Sequence, residues 1–182
     1  SGWLMVNPLL SLSGIWRTTD PDAVNGWSKV LTLSDWSLSG LAPDAWNNTM
    51  FVTSLDKLGS VWFAYLVNTN GSQIGQILES TDDGQNWVRT YTDTGYVFGR
   101  VRPVLVGSVP MYLESGGKRV LRKISGAWSV TTADLPTAAN FDAYGDPSAI
   151  GTRALAKVVA GATATIYTTT NGVNWTPTTG IS

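Results

Sequence analysis

Residues 80–87 read Ser-Thr-Asp-Asp-Gly-Gln-Asn-Trp (STDDGQNW), and this stretch decides how the rest of the chain is interpreted. An Asp side chain accepts hydrogen bonds from the amides of its own turn, and Gly adopts backbone angles that strain other residues. Trp adds a large apolar face for packing. The pattern therefore predicts a tight polar turn that leads into a strand at a packed Trp.

The same pattern returns in altered form along the chain. Residues 168–175 read TTTNGVNW, and the two Trp residues are 88 positions apart, from 87 to 175. Ser125-Gly126-Ala127-Trp128 lies midway, so the period is about 44 residues, a length typical of four-stranded propeller blades. Thr18–Trp27 is a fourth, expanded copy, and the surplus residues that follow it predict an inserted loop at 34–48.

Short apolar and β-branched runs between these turns predict strands, whereas strong helix formers are scarce, with only two Glu in 182 residues. The predicted strands are Leu12–Thr18, Trp27–Leu33, Val61–Val67, Ile74–Ser80, Trp87–Thr92, Val104–Gly107, Met111–Glu114, Val120–Ile124, Trp128–Thr132, Arg153–Val159, Thr163–Thr169 and one from Trp175. We expect a single all-β domain over residues 1–182. Because the sequence lacks an initiator Met, the simplest interpretation is a processed or excised chain, which leaves open whether the natural protein extends upstream of Ser1.

Composition excludes several classes of function. The chain has 12 Lys+Arg against 13 Asp+Glu, a net charge of -1, which provides no field for a nucleic-acid backbone. It contains no Cys and no His, which excludes disulfides, thiol chemistry, Cys/His zinc sites and imidazole catalysis. No apolar run approaches the roughly 20 residues of a membrane helix. We predict no nucleic-acid partner, no membrane span, no cofactor and no metal.

Ser80, Asp82, Gly84 and Trp87 fill every defining position of S/T-x-D-x-G-x-x-W/F, the Asp box. The chain thus resembles the Asp-box (BNR-repeat) sialidase-like β-propellers, in which the box joins the third and fourth strands of a blade. The resemblance implies a β-propeller-like array of about four short blades.

The second copy fits the box less well. It keeps Thr168, Gly172 and Trp175, but Thr170 stands where Asp is expected. In this family the boxes are structural and lie on the face away from catalysis. The resemblance therefore implies a structural role for the matching residues of both copies.

Sialidase activity is not predicted. The family has an arginine triad, a Tyr–Glu nucleophile pair and an Arg-Ile-Pro element, whereas Gly99–Pro103 offers only Arg-x-Pro in the middle of the chain. Nothing in the spacing of the seven arginines marks three as a clamp. Glu79 and Glu114, the only glutamates, are expected to be surface strand residues.

Other acidic pairs are expected to form turns. A glycosidase needs two carboxylates held a fixed distance apart, but Asp20/Asp22 and Asp142/Asp146 stand beside Pro or Gly. Thr81–Gly84 and Asp20–Asp22 are candidate calcium loops, but neither has enough oxygen ligands.

Sugar binding has better candidates, because carbohydrate sites combine aromatic faces with amides and acids. The predicted ligand-binding residues are Asp35, Trp36, Asp44, Trp46 and Asn47 in the 34–48 loop, and Asn140, Asp142 and Tyr144 in a second segment. The alternative is that the two Trp side chains pack beneath the loop as a small core.

We therefore predict a non-catalytic extracellular or virion-surface module that recognises a receptor, with glycan favoured over protein. Its Ser-, Thr-, Gly- and Asn-rich composition resembles that of phage tail, fibre and decoration proteins. Two alternatives stay open: a structural subunit that assembles with other chains or copies of itself, and a non-catalytic fragment of a sialidase-like glycosidase.

Overall fold

A computed structural model of the chain describes residues 3–7, 14–22, 25–31, 50–68, 74–94, 103–113, 119–135, 140–141, 148–150, 153–160 and 163–178. The regular elements in these ranges are β-strands, which confirms the all-β class. Within the same ranges no helix has the length and apolar character needed to cross a membrane.

The chain divides into two compact units, Ser1–Val97 and Phe98–Ser182. The first unit holds a three-stranded and a four-stranded antiparallel sheet, with strand orders β1-β2-β3 and β4-β5-β6-β7. Its strands are β1 (Trp3–Asn7), β2 (Gly14–Thr18), β3 (Ser28–Leu31), β4 (Met50–Leu58), β5 (Val61–Asn68), β6 (Ile74–Ser80) and β7 (Val88–Thr94).

The second unit holds a four-stranded sheet, β8-β9-β10-β11, and a sheet ordered β12-β14-β15-β16 in which β13 also pairs with β14. Its strands are β8 (Pro103–Val106), β9 (Val109–Leu113), β10 (Arg119–Ile124), β11 (Ala127–Thr132), β12 (Asn140–Phe141), β13 (Ser148–Ile150), β14 (Arg153–Ala160), β15 (Thr163–Thr169) and β16 (Thr176–Pro177).

The sheets are meanders, because strands that follow each other in the chain are usually neighbours in the sheet. The observed limits of β6 and β15 are those predicted from the sequence. Each of the four predicted repeat turns joins the last two strands of one sheet. Each of these four sheets is open rather than closed on itself.

Four strands were not predicted, and β4 is the longest of them. The register between β4 and β5 shifts between Val52 and Ser54, which marks a bulge. A bulge breaks the alternation of inward and outward side chains that identifies a strand in a sequence. The other three are β1 and the short pieces β12 and β13.

An apolar cluster joins the two sheets of the first unit. Ile15 and Leu31 come from the first sheet, and Leu66 and Leu78 come from the second. Residues of opposite sheets thus bury each other, as in face-to-face sheet packing. Trp87, at the end of the 80–87 turn, packs against the same cluster.

The second unit has a core of the same kind. Val104, Met111 and Val120 of the β8–β11 sheet are buried with Trp175, which lies at the end of the second predicted turn. Leu135, in the segment after β11, belongs to the same cluster. In both units the Trp that closes a predicted turn therefore borders the core between two sheets.

Candidate functional site

The 80–87 turn is organised by one buried hydroxyl group. Ser80, at the end of β6, is 1% exposed, and its Oγ accepts a hydrogen bond of 2.9 Å from the Gly84 amide. The same hydroxyl donates to Asp82 Oδ1 at 2.8 Å. Gly84 has a φ of 81°, in the left-handed region that glycine adopts without strain.

The carboxylate of Asp82 accepts hydrogen bonds from inside its own turn. Asn86 donates its backbone amide to Oδ1 at 2.9 Å and its side-chain amide to Oδ2 at 2.6 Å. These two bonds and the Ser80 hydroxyl stabilise the charged form, so the pKa of Asp82 falls from 3.8 to about 2. Asp82 therefore acts as the internal acceptor of the turn.

The turn also fits closely against the neighbouring sheet of its unit. A side-chain carbon added at Gly84 would meet Leu4 of β1 at 2.7 Å, closer than carbon atoms normally pack. The Trp87 indole donates to the Gly84 carbonyl at 3.2 Å. Glycine is thus required here both by the backbone angle and by the space.

The turn at 169–175 has the same organisation, but its hydroxyl residue and its acceptor residue each lie one position later than the sequence pattern predicted. The Thr169 hydroxyl is buried and accepts the Gly172 amide at 2.8 Å, as Ser80 does for Gly84. Asn171 Oδ1 accepts the amides of residues 173 and 174, each at 2.9 Å, in the manner of Asp82.

This shift corrects the ungapped alignment made from the sequence. Thr168 does not hold the turn; its hydroxyl lies 3.5 Å from that of Thr176 on β16. Thr170 does not stand in the place of Asp, because Asn171 does. One residue separates Asp82 from Gly84, whereas Asn171 directly precedes Gly172. Only Gly172 and Trp175 therefore match the Asp-box positions that the sequence alignment gave them.

An arginine from the neighbouring sheet holds each turn in the same way. Arg17 Nε donates to the Asp83 carbonyl at 3.0 Å, and Arg122 Nη1 donates to the Asn171 carbonyl at 3.1 Å. In both turns the accepting carbonyl belongs to the residue before the glycine. The two units therefore share a turn, a packed Trp and an arginine contact.

The other two predicted copies are simpler. The buried Thr18 hydroxyl accepts the Asp20 amide at 3.1 Å, and Asp20 Oδ1 accepts the Asp22 amide at 3.1 Å. Ser125 and Gly126 both have positive φ and join β10 to β11 as a two-residue hairpin. The copy at 18–27 thus retains the hydroxyl contact and the Asp side-chain contact. The copy at 125–128 retains only the tight connection between two strands.

An open groove of about 630 Å³ lies beside the 80–87 turn. Its lining combines both signs of charge with hydroxyl and amide groups and consists of Arg17, Lys57, Gly59, Ser60, Thr81, Asp82, Asp83 and Gln85. We call it the turn groove. The groove is shallow and largely open to solvent.

The Asp83 side chain contacts two cations and an indole at the turn groove. Its Oδ1 accepts hydrogen bonds from Lys57 Nζ at 3.0 Å and from the Trp62 indole at 3.1 Å. Arg17 Nη2 lies 3.9 Å from Oδ2. Lys57 also sits over the Trp62 ring, 5.4 Å from its centroid, so one carboxylate holds two cations and an aromatic ring together.

The sequence did not identify Lys57 and Trp62 as members of a site. They are cross-strand partners on β4 and β5, and β4 was not predicted. The available signal was the second Asp in STDDGQNW, which the Asp-box pattern leaves unspecified.

Glu79 is not the surface residue expected from the sequence. It is 7% exposed, and its Oε1 accepts the Thr90 hydroxyl at 2.7 Å. The expectation failed because Glu79 lies on β6, a strand whose residues 75–80 are all buried. Glu114, the other glutamate, lies outside the described residues.

Most of the predicted ligand-binding residues also lie outside the described part of the chain: Asp35, Trp36, Asp44, Trp46, Asn47, Asp142 and Tyr144. Asn140 opens β12 and pairs with Val159 of β14. β12 and β13 pair with successive parts of β14.

The calcium loops suggested by the sequence have other roles. Asp82 accepts hydrogen bonds within its turn and Asp83 pairs with cations, as described above. Among the residues that the structure describes, no group of three or more acidic side chains is arranged to hold a metal ion.

Comparisons with known proteins give no family for this chain. No family model matches it, and no curated protein is similar enough to count as a relative.

The fit of Gly84 gives a first test. Gly84→Ala is expected to reduce the free energy of unfolding more than Gly59→Ala, because both residues have positive φ but only Gly84 faces Leu4. The left-handed backbone costs either alanine about 1–2 kcal/mol, and overpacking adds about 1–3 kcal/mol at Gly84 alone. Urea unfolding of the two variants measures the difference; equal losses would contradict the packing argument.

Asp82 gives a test by pH. Its pKa is lowered by folding, so its contribution to stability is complete above about pH 4 and is lost as the pH falls toward 2. Asp82→Asn should remove this part of the acid dependence of unfolding. NMR titration of the carboxyl carbon should give a pKa of about 2 in the wild type and a higher value in Asn86→Ala. The same low value in Asn86→Ala would contradict the assigned cause.

Proposed function

We propose that this chain is a non-catalytic receptor-binding module built on an Asp-box, β-propeller-like scaffold of about four blades. Its receptor is a glycan, and its location is extracellular or on a virion surface. The observation that carries the proposal is the pair of turns at 80–87 and 169–175, in each of which a buried hydroxyl and an acceptor side chain hold the turn against the scaffold.

The blade assignment is supported by the position of the turns. Both join the last two strands of a meander sheet, as the third and fourth strands of a blade are joined in the family that the sequence resembles. Each places a Trp and a Gly against the neighbouring sheet of its unit. An arrangement of successive blades is the simplest one that repeats these contacts.

The acids around the 80–87 turn support a role without catalysis. Asp82, Asp83 and Glu79 all accept hydrogen bonds from neighbouring side chains. The low pKa of Asp82 keeps this carboxyl ionised, which is unsuitable for a proton donor near neutral pH. The described acids near the turn groove therefore serve as fixed acceptors and ion-pair partners.

The inserted loop at 34–48 is our candidate for the receptor site. Leu31 and Met50, the described residues that flank it, lie at the ends of their sheets away from Thr18 and Ser80. The described residues between which the inserted segment lies in the chain are thus at the sheet ends away from the structural turns. Loops on a rigid scaffold commonly carry recognition, and this one contains two Trp, two Asp and two Asn.

A glycan array tests the proposal. Wild-type protein should bind a defined subset of glycans, and Trp46→Ala and Asp44→Asn should each reduce the affinity about tenfold or more, as expected for central binding residues. Asp22→Asn is the matched control, because Asp22 is exposed at the opposite end of its sheet.

Loss of binding in the Trp46→Ala and Asp44→Asn variants, but not in the control, would support the proposal. Retention of binding by both variants would exclude the loop as the site. Absence of any bound glycan would reject a glycan receptor.

An assembly subunit is the second candidate, and a specific observation favours it. Val88 on β7 and Val130 on β11 are 63% and 40% exposed, and both strands are the last in their sheets. Exposed apolar residues on edge strands invite pairing with another chain.

Light scattering tests this alternative. If assembly is the role, purified protein should have the mass of a multimer, and Val88→Lys should lower that mass because a lysine on an edge strand opposes pairing. Thr19→Lys, at an exposed turn position, is the control for the added charge. A wild-type mass equal to one chain at all concentrations would reject self-assembly.

A further inference from the structure

We infer that the turn groove is a second saccharide site, which binds a neutral sugar through adjacent hydroxyl groups at Arg17, Lys57 and Asp83. The choice of a saccharide as the ligand rests on the proposed function. The site lies at the end of the first unit away from Leu31 and Met50, the described residues that flank the inserted loop in the chain.

The two turns differ at the position of the Asp83 side chain. The 169–175 turn closes with a buried hydroxyl, an acceptor side chain, a glycine, a Trp and an arginine contact. Because it is one residue shorter, Asn171 combines the accepting side chain of Asp82 with the accepting carbonyl of Asp83, and no side chain corresponds to the Asp83 carboxylate. Asp83 is therefore not needed to close a turn of this kind.

The strand residues beside the turn lead to the same conclusion. Trp62 pairs with Ser80, and Ala154 pairs with Thr169, so that Ala154 is the counterpart of Trp62. Lys57 pairs with Trp62 and Ala149 pairs with Ala154, which makes Ala149 the counterpart of Lys57. Two alanines thus replace the lysine and the tryptophan in the second unit.

The cluster of Asp83, Lys57 and Trp62 is consequently an addition to a turn that is stable without it. Asp83 also has a φ of 60°, an unusual backbone conformation for a residue other than glycine. The conformation directs its carboxylate to Lys57 and Trp62. Such an addition, beside an open groove, fits a binding role.

The chemistry of the turn groove favours a neutral sugar over an anion. Its two cations, Arg17 and Lys57, are balanced by Asp82 and Asp83, so the lining has no net charge. Each sugar hydroxyl both donates and accepts hydrogen bonds. Lys57 and Arg17 are donors only, Asp83 is an acceptor, and their proximity matches a pair of adjacent hydroxyls.

The experiment follows the indole Nε1–H signal of Trp62 by NMR, because that group donates to Asp83. The signal is assigned with Trp62→Phe. The probes are the methyl glycosides of glucose, galactose, mannose and N-acetylglucosamine at millimolar concentrations, and sodium sulfate serves as an anion probe. At least one glycoside should shift the Trp62 signal in a saturable way, whereas sulfate should not.

Two variants and one control accompany the titration. Lys57→Met and deletion of Asp83, which reproduces the length of the 169–175 turn, should weaken glycoside binding about tenfold or more, since hydrogen bonds from charged groups contribute that much affinity. Lys29→Met is the matched control, because Lys29 lies 5.9 Å from the Trp16 ring centroid and does not line the groove. It should bind as the wild type does.

For wild-type and variant protein the unfolding midpoint is measured first, so that loss of binding is not confused with loss of fold. The inference is overturned if no glycoside shifts the Trp62 signal, if Lys57→Met binds as tightly as the wild type, or if sulfate alone produces the shift.

The array and the titration distinguish the two proposals. Array binding without a Trp62 shift would leave the receptor function standing and reject the turn groove. A Trp62 shift without array binding would establish the groove and reject a glycan receptor.

Discussion

One hydrogen bond has a central place in this structure: a buried Ser or Thr hydroxyl accepts the amide of a left-handed glycine. It occurs at Ser80–Gly84 and again at Thr169–Gly172. A buried hydroxyl left without a partner would destabilise the fold, so this bond fixes where each of these turns closes. The glycine then lies against the neighbouring sheet, and the following Trp reaches the core between the sheets. Turn geometry and core packing are thus consequences of the same contact.

The two turns differ in how they use charge, and the difference separates folding from other roles. At 169–175 an uncharged Asn171 accepts the backbone amides, which is sufficient to close the turn. At 80–87 the charged carboxylate of Asp82 accepts the corresponding backbone amide. Asp83 adds a second carboxylate, which pairs with Lys57. An exposed ion pair contributes little stability, commonly less than about 1 kcal/mol. The closed turn at 169–175 does without these charges, and this difference is the basis on which we propose a ligand for them.

The sequence predicted the class and much of the strand pattern because these depend on local signals. Alternating or apolar runs between Gly- and Asn-rich turns were enough to place β6 and β15. Prediction from the sequence failed where a feature depends on contacts between distant residues or on hydrogen bonds that the residue types do not distinguish. The β4 bulge removed the alternation that would have revealed that strand, and with it the Lys57–Trp62 pair. The alignment of the turns failed by one residue because Thr168, Thr169 and Thr170 are identical, and only the hydrogen bonds distinguish them.

The burial of Glu79 shows why residue type alone did not predict its surroundings. A glutamate on a strand was expected at the surface because burying a carboxylate without partners is costly. The cost is reduced here by the Thr90 hydroxyl, which comes from the adjacent strand β7. The register of β6 and β7 shifts between Ile77 and Leu78, so Thr90 has no direct partner in the ladder. Its side-chain hydroxyl donates to the Glu79 carboxylate at this irregularity. The bulge and the buried acid are therefore linked, and neither follows from the residues of one strand considered separately.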